Sequence, residues 1–237
     1  MPKINFKDIE GREKGKIGFV CATGPSLSPY MESFKKLSRE NTDKYAFFGC
    51  NEFDSKTGIF PQYWIVANNE FTVNKFHPAI NRHEGTVLVY AYSVDKTPPD
   101  QVENLINGEY IAYSEREKGI REGDKSIQEF LKEMTGHNEI YGGAGTVAVH
   151  MLATAIITGC NPIYVAGVDM DYKKGYCDGT SSGRLGWLSQ HQGTINNSFQ
   201  VLKASAALIG IDIYNLNTDP PYDALESVDL PDFKAEL

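Results

Sequence analysis

The feature that most constrains this chain is an alternation of two patterns along its length. Short apolar, β-rich runs occupy residues 17–21 (IGFVC), 45–50 (YAFFGC), 63–67 (YWIVA), 86–91 (TVLVYA), 162–167 (PIYVAG) and 211–216 (IDIYNL). Helical patterns occupy 30–40, 126–134, 145–159 and 195–209 between them. Strands that alternate with helices connect by βαβ crossovers, so the expected fold is α/β, a mainly parallel sheet flanked by helices. The whole chain, 1–237, reads as a single domain.

Two of the helices carry clear signals. In the last, Ile195, Phe199, Leu202, Ala206 and Ile209 fall on one face, with Thr194 as an expected N-cap and Gly210 as the stop. The helix from 145 is apolar nearly all round (VAVHMLATAII), which predicts a central, buried helix with His150 as a core residue. Residues 94–124, rich in proline, glycine and charge, are expected to run over the surface, and the tail from 218 to be peripheral. Residues 172–192 hold Gly, Ser and Lys with no sustained period and are expected to form a mobile lid loop.

Hydrophobic residues at 41% and charged residues at 23% exclude a disordered chain. A formal net charge of −8 argues against nucleic acid or an anionic membrane as partner. Cys21, Cys50, Cys160 and Cys177 have no metal-ligand spacing, and three of them end apolar runs as small hydrophobes. No apolar run is long enough to span a bilayer, and residues 1–16 lack the apolar stretch of a signal peptide, so the expected compartment is cytoplasmic.

Chemistry is expected at the carboxyl ends of the strands. After the first strand stand Thr23, Gly24, Pro25 and Ser26, a tight turn with a hydroxyl and free N–H groups that suits a phosphate or ribose, or else a simple Pro-Ser helix start. After the second stands Asn51, an amide that can read a base or ribose edge, or can close a turn. Gly143, Gly145 and Thr146 open the buried helix, where unobstructed N–H groups suit an anion, while close helix–sheet packing explains the glycines equally simply. Asp169 and Asp171 form a D-x-D spelling able to share a divalent cation, although so short a spelling recurs by chance. His191, just before the last helix, has a pKa range suited to a general base.

In order, the segments GFVCATGPSL, FFGCNEF and TVAVHMLATAIITGCNPIYVAGVDMDY resemble glycosyltransferase family 42, the bacterial CMP-sialic acid-dependent sialyltransferases. They also resemble the related motility-accessory glycosyltransferases and pterin pyrophosphokinase-like proteins. GGAGTVAVHMLA and GIFPQYWIVANNE, the latter containing Asn68, are similar to that second branch. The resemblance implies a Rossmann-like, nucleotide-binding domain that needs no metal or other cofactor. It implies a CMP-linked sugar donor, a glycan or glycolipid acceptor, and a possible homo-oligomer. It assigns Asn51 to the nucleotide, Tyr172 and Tyr176 to the departing phosphate, Asn68 and Asp169 to the substrate pocket, and His191 to the acceptor hydroxyl. The pterin branch implies instead an ATP- and Mg²⁺-dependent pyrophosphokinase in which the D-x-D spelling binds metal. A nucleotide-binding module without turnover is the third reading.

Overall fold

The computed structural model describes residues 3–66, 84–90, 109–116, 139–141, 146–181 and 192–230. Among the described residues, nine strands form one sheet: β1 (Ile17–Cys21), β2 (Tyr45–Cys50), β3 (Tyr63–Val66), β4 (Thr86–Tyr90), β5 (Tyr110–Arg116), β6 (Glu139–Tyr141), β7 (Ile163–Ala166), β8 (Ile213–Asn215) and β9 (Glu226–Ser227). Their order is β6-β5-β4-β3-β2-β1-β7-β8-β9, and every neighbouring pair is parallel. The described helices are α1 (Phe6–Ile9), α2 (Met31–Glu40), α3 (Phe53–Thr57), α4 (Val147–Thr158) and α5 (Gln192–Leu208). The Rossmann-like α/β class expected from the sequence is the class found.

Period-2 alternation along the central strands sends side chains into two cores. Phe19 and Cys21 of β1 and Tyr45 and Phe47 of β2 pack with Phe34 and Leu37 of α2. Val20, Ala46, Phe48 and Cys50 face the other way, toward Phe6 and Ile9 of α1, the all-buried row of α4, and Ile195, Phe199, Leu202 and Ala206 of α5. A helix apolar on every side is stable only when covered on every side. Eleven of the twelve α4 residues, Ala148 through Thr158, are buried, as the sequence pattern requires.

Three expectations are corrected. The 94–124 surface excursion contains β5, whose Tyr110, Ile111 and Tyr113 are buried between β4 and β6. The tail from 218 is not peripheral, because it returns as β9 and buries Tyr222, Ala224 and Leu225. Thr194 is not the N-cap of the last helix: α5 already begins at Gln192, and the Thr194 carbonyl accepts the Ser198 hydroxyl 3.0 Å away inside it. Gly210, at φ 77°, follows its end as expected. The expected helix at 126–134 lies outside the described residues.

Candidate functional site

From β1 the chain moves outward strand by strand to β6, then crosses back through α4 to β7 on the other side of β1. The strand order therefore reverses between β1 and β7. In open α/β sheets the crevice at the carboxyl ends beside such a reversal is where ligands bind. The two loops leaving β1 and β7 are joined there by backbone hydrogen bonds. The N–H groups of Ala22 and Gly24 donate to the carbonyls of Ala166 (2.9 Å) and Gly167 (2.8 Å). The Cys177 N–H donates to the Thr23 carbonyl (2.8 Å), and the Ser28 hydroxyl to the Cys177 carbonyl (3.0 Å).

This closeness explains the glycines. A Cβ on Gly24 would stand 2.1 Å from Asp169 Oδ2 and 2.5 Å from the Gly167 carbonyl oxygen. At Gly167, a Cβ would stand 2.2 Å from the Ala22 carbonyl oxygen, and its φ of 71° excludes most other residues. Pro25 opens a 3₁₀ turn, Pro25–Tyr30, so the helical start expected as the simpler alternative is real.

Asp169 is the tie between these loops. Its Oδ2 accepts the Ser26 N–H at 2.9 Å and its Oδ1 accepts the Asn217 amide at 2.8 Å, in a buried setting. Asn217 is held in turn by the Asn215 Oδ1, which also accepts the Tyr222 hydroxyl at 3.2 Å. Burial, and then the Asp169 carboxylate, push the Tyr222 phenol well above its usual range, so it stays a donor. Asp171 accepts the Lys173 N–H on Oδ1. In the D-x-D pair, Asp169 thus accepts one hydrogen bond on each oxygen, and no group of three metal-ligating side chains is gathered among the described residues.

Besides Asp169 and the Lys56–Asp178 pair, the loops that follow the strands carry neutral donors and acceptors. The Ser26 hydroxyl oxygen is buried without a hydrogen-bond partner. Thr146 sits at the N-cap position of α4 in an extended conformation, and its side chain makes no capping bond. Asn51 ends β2 in the left-handed region at φ 47°, with its N–H on the Ile65 carbonyl and its own carbonyl accepting the Trp64 indole N–H at 3.0 Å. Its counterpart after β7 is Met170, at φ 51°. These are the two non-glycine residues with positive φ among the described residues, and both stand at the ends of crevice strands. Strain held at such places is a mark of functional sites.

Tyr172 opens a short 3₁₀ turn, Tyr172–Lys174. Tyr176 follows in a tight turn and carries the Lys56 ammonium 4.1 Å from its ring centroid. The described part of the expected lid, 172–181, is thus fastened to Thr23, Ser28 and Lys56, with Cys177 buried. Glycine and serine content does not show these attachments, which come from residues distant in sequence. Asn68, Gly143, Gly145 and His191 lie outside the described residues. Sequence reasoning missed Asn217, Asn215 and Lys56. Asn217 carried a signal of the same kind as Asn51, an asparagine just past a strand; Lys56 carried none.

The sequence matches the family described as 6-hydroxymethylpterin diphosphokinase MptE-like over residues 1–175, which takes in β1 through β7. The chain belongs to this MptE-like family. No curated protein matches it. Among solved structures, the MAf glycosyltransferase from Magnetospirillum magneticum AMB-1 superimposes with a TM-score of 0.57 at 12% identity, covering 98% of this chain and 41% of that one. This MptE-like chain therefore spans about two fifths of that protein, and at such identity the likeness establishes the shared fold alone. The sialyltransferase CstII from Campylobacter jejuni, solved with the substrate analogue cytidine-5'-monophosphate, aligns over 92% of this chain and 89% of its own. Its identity is 17% and its TM-score 0.48, too low to carry weight. Of the families suggested by the motifs, the MptE-like branch is the one matched by sequence. No helix among the described residues is long and apolar enough to cross a membrane.

Proposed function

We propose that this MptE-like protein is a metal-independent transferase that takes a sialic acid-like sugar from a CMP-activated donor and passes it to a glycan acceptor. The observation that carries the reading is the commitment of Asp169 to Ser26 and Asn217 at the β1–β7 reversal. That leaves hydroxyl and N–H donors, rather than a carboxylate pair, to meet a phosphate. In the reaction, the bond between the anomeric carbon and the CMP phosphate oxygen breaks, and the electron pair leaves on the phosphate. The acceptor oxygen bonds to the anomeric carbon, and its proton passes to His191 as general base. Hydroxyls of Tyr172, Tyr176 and Ser26, with the N–H groups opening α4, stabilise the growing phosphate charge; donors aimed at developing charge need no cation. Asn51 is assigned to the nucleotide and Asn68 to the substrate pocket.

The family match favours a second reading, a pyrophosphoryl transfer from ATP of the kind named in the family description. That reading needs a divalent cation, with Asp169 and Asp171 of the D-x-D spelling as its ligands. A panel of nucleotides in a thermal-shift assay separates the two. Stabilisation by CMP or CDP without Mg²⁺, followed by donor turnover, supports glycosyl transfer. Stabilisation by ATP analogues only with Mg²⁺ replaces it with the diphosphokinase, and binding without turnover on any acceptor leaves a nucleotide-binding module.

A further inference from the structure

Lys56 lies in α3, five residues after Asn51, yet its ammonium reaches across the crevice to the loop that follows β7. It stands over the Tyr176 ring at 4.1 Å from the centroid, donates to the Thr180 hydroxyl at 2.8 Å, and pairs with Asp178 Oδ2 at 3.3 Å. The turn it grips is closed on itself. The Tyr176 N–H donates to the Thr180 carbonyl (2.9 Å), the Gly179 N–H to the Tyr176 carbonyl (2.9 Å), and Asp178 Oδ1 accepts both the N–H and the hydroxyl of Thr180. On the far side, buried Cys177 is bonded through its backbone to Thr23 and Ser28.

We propose that Lys56 is a positioning residue for Tyr176, setting the plane of its ring and with it the direction of its hydroxyl at the crevice. The proposal rests on the reading that the Tyr176 hydroxyl meets the departing phosphate. A cation on one ring face fixes that face, because attraction to the ring quadrupole is lost when the ring turns edge-on. The hydrogen bond to Thr180 and the pairing with Asp178 keep the ammonium from following solvent, and the lysine side chain is 14% exposed. The β1, β2 and β7 loops are thereby tied into one rim: β1 to β7 through Asp169 and Cys177, and β2 to β7 through Lys56.

The test compares the wild type with Lys56→Met, Lys56→Arg and Tyr176→Phe by backbone hydrogen exchange, CMP titration and donor turnover. Arginine keeps the cation, the ring contact and the donors; methionine keeps only the apolar stem. In Lys56→Met, the amides of Tyr176 and Gly179 are expected to exchange about tenfold faster, with the strands unchanged. Turnover is expected to fall about tenfold while CMP affinity changes by less than about threefold. Lys56→Arg should recover most of both, and adding Lys56→Met to Tyr176→Phe should lower turnover no further. Unchanged exchange in Lys56→Met, no recovery by arginine, or additive effects in the double variant would each overturn the proposal. A wild type without CMP binding overturns the functional reading instead, and the exchange comparison still decides what Lys56 holds.

Discussion

At the scale of single residues, Asp169 is the position where chemistry and scaffold are hardest to tell apart by sequence and easiest by structure. It accepts two hydrogen bonds from two donors, the Ser26 N–H and the Asn217 amide. Asparagine at 169 has one accepting oxygen and one donating nitrogen, so either placement sets two donors against each other. Asp169→Asn should cost about 1–3 kcal/mol in urea denaturation, the range for an unsatisfied buried polar group. Asn217→Asp alone should also destabilise, since it faces one carboxylate with another. The double exchange places the amide on 169 and the carboxylate on 217, and should regain at least half of the sum of the two losses. If the double variant is merely additive, the pair does not interact as described. The tyrosines make a different prediction. Replacing both Tyr172 and Tyr176 by Phe removes two hydroxyls and keeps the rings. Turnover should fall by about 10²-fold or more, with thermal stability nearly unchanged, as for donors that act mainly in the transition state. A double variant with wild-type turnover on its true donor would remove both residues from the proposed chemistry.

At the scale of elements, legibility followed burial. Strands buried on both faces, β1, β2 and β3, read directly as apolar runs, and α4 read as a covered helix because no charged residue and only His150 and two threonines interrupt its apolar sequence. The segments that escaped are those whose partners lie far away in sequence. β5 (YIAYSER) ends in charge and is followed by more, and only its place between β4 and β6 makes it a strand. β9 has two residues and exists because β8 offers it an edge. Of the candidate site, the parts legible in the sequence are those where a loop departs directly from a clear strand, at 22–28, Asn51 and Asp169. It was illegible where contacts cross long separations, as from Lys56 to Thr180 or Asp169 to Asn217. The corrected tail gives a direct test. Leu225 is 3% exposed and belongs to the core beneath α5. Leu225→Ala should cost about 2–4 kcal/mol, as large-to-small core changes do, measured by chemical denaturation. A cost below about 0.5 kcal/mol, the range for surface changes, would restore the peripheral reading.

At the scale of the whole molecule, the four cysteines report how much of the structure opens together. Cys21 and Cys50 lie in β1 and β2, Cys160 in the connection from α4 to β7 against Gly18 of β1, and Cys177 in the loop gripped by Lys56; all are buried and unpaired with one another. Burial pushes the Cys50 and Cys160 thiols up to about 12 and Cys21 well above its usual range. The Cys177 thiol is also raised, chiefly by burial and then by Asp178. Since the thiolate is the reactive form, each native thiol is protected twice, by lack of access and by lack of ionisation. Alkylation must therefore wait for an opening, and its rate measures that opening's free energy. Exposing Cys21 or Cys50 means separating central strands, which is global unfolding. Exposing Cys177 needs only the 172–181 segment to leave Thr23, Ser28 and Lys56. In a pulse-alkylation experiment read by peptide mass mapping, Cys177 should be modified at least about tenfold faster than the other three. Lys56→Met should accelerate Cys177 alone, and a bound nucleotide should slow it, because a ligand that binds the closed form stabilises that form by mass action. Denaturant well below the unfolding midpoint should leave the order of reaction intact. Four thiols reacting in concert under all these conditions would mean that the 172–181 segment opens only with the sheet, and that closure over a donor has to be sought elsewhere in the chain.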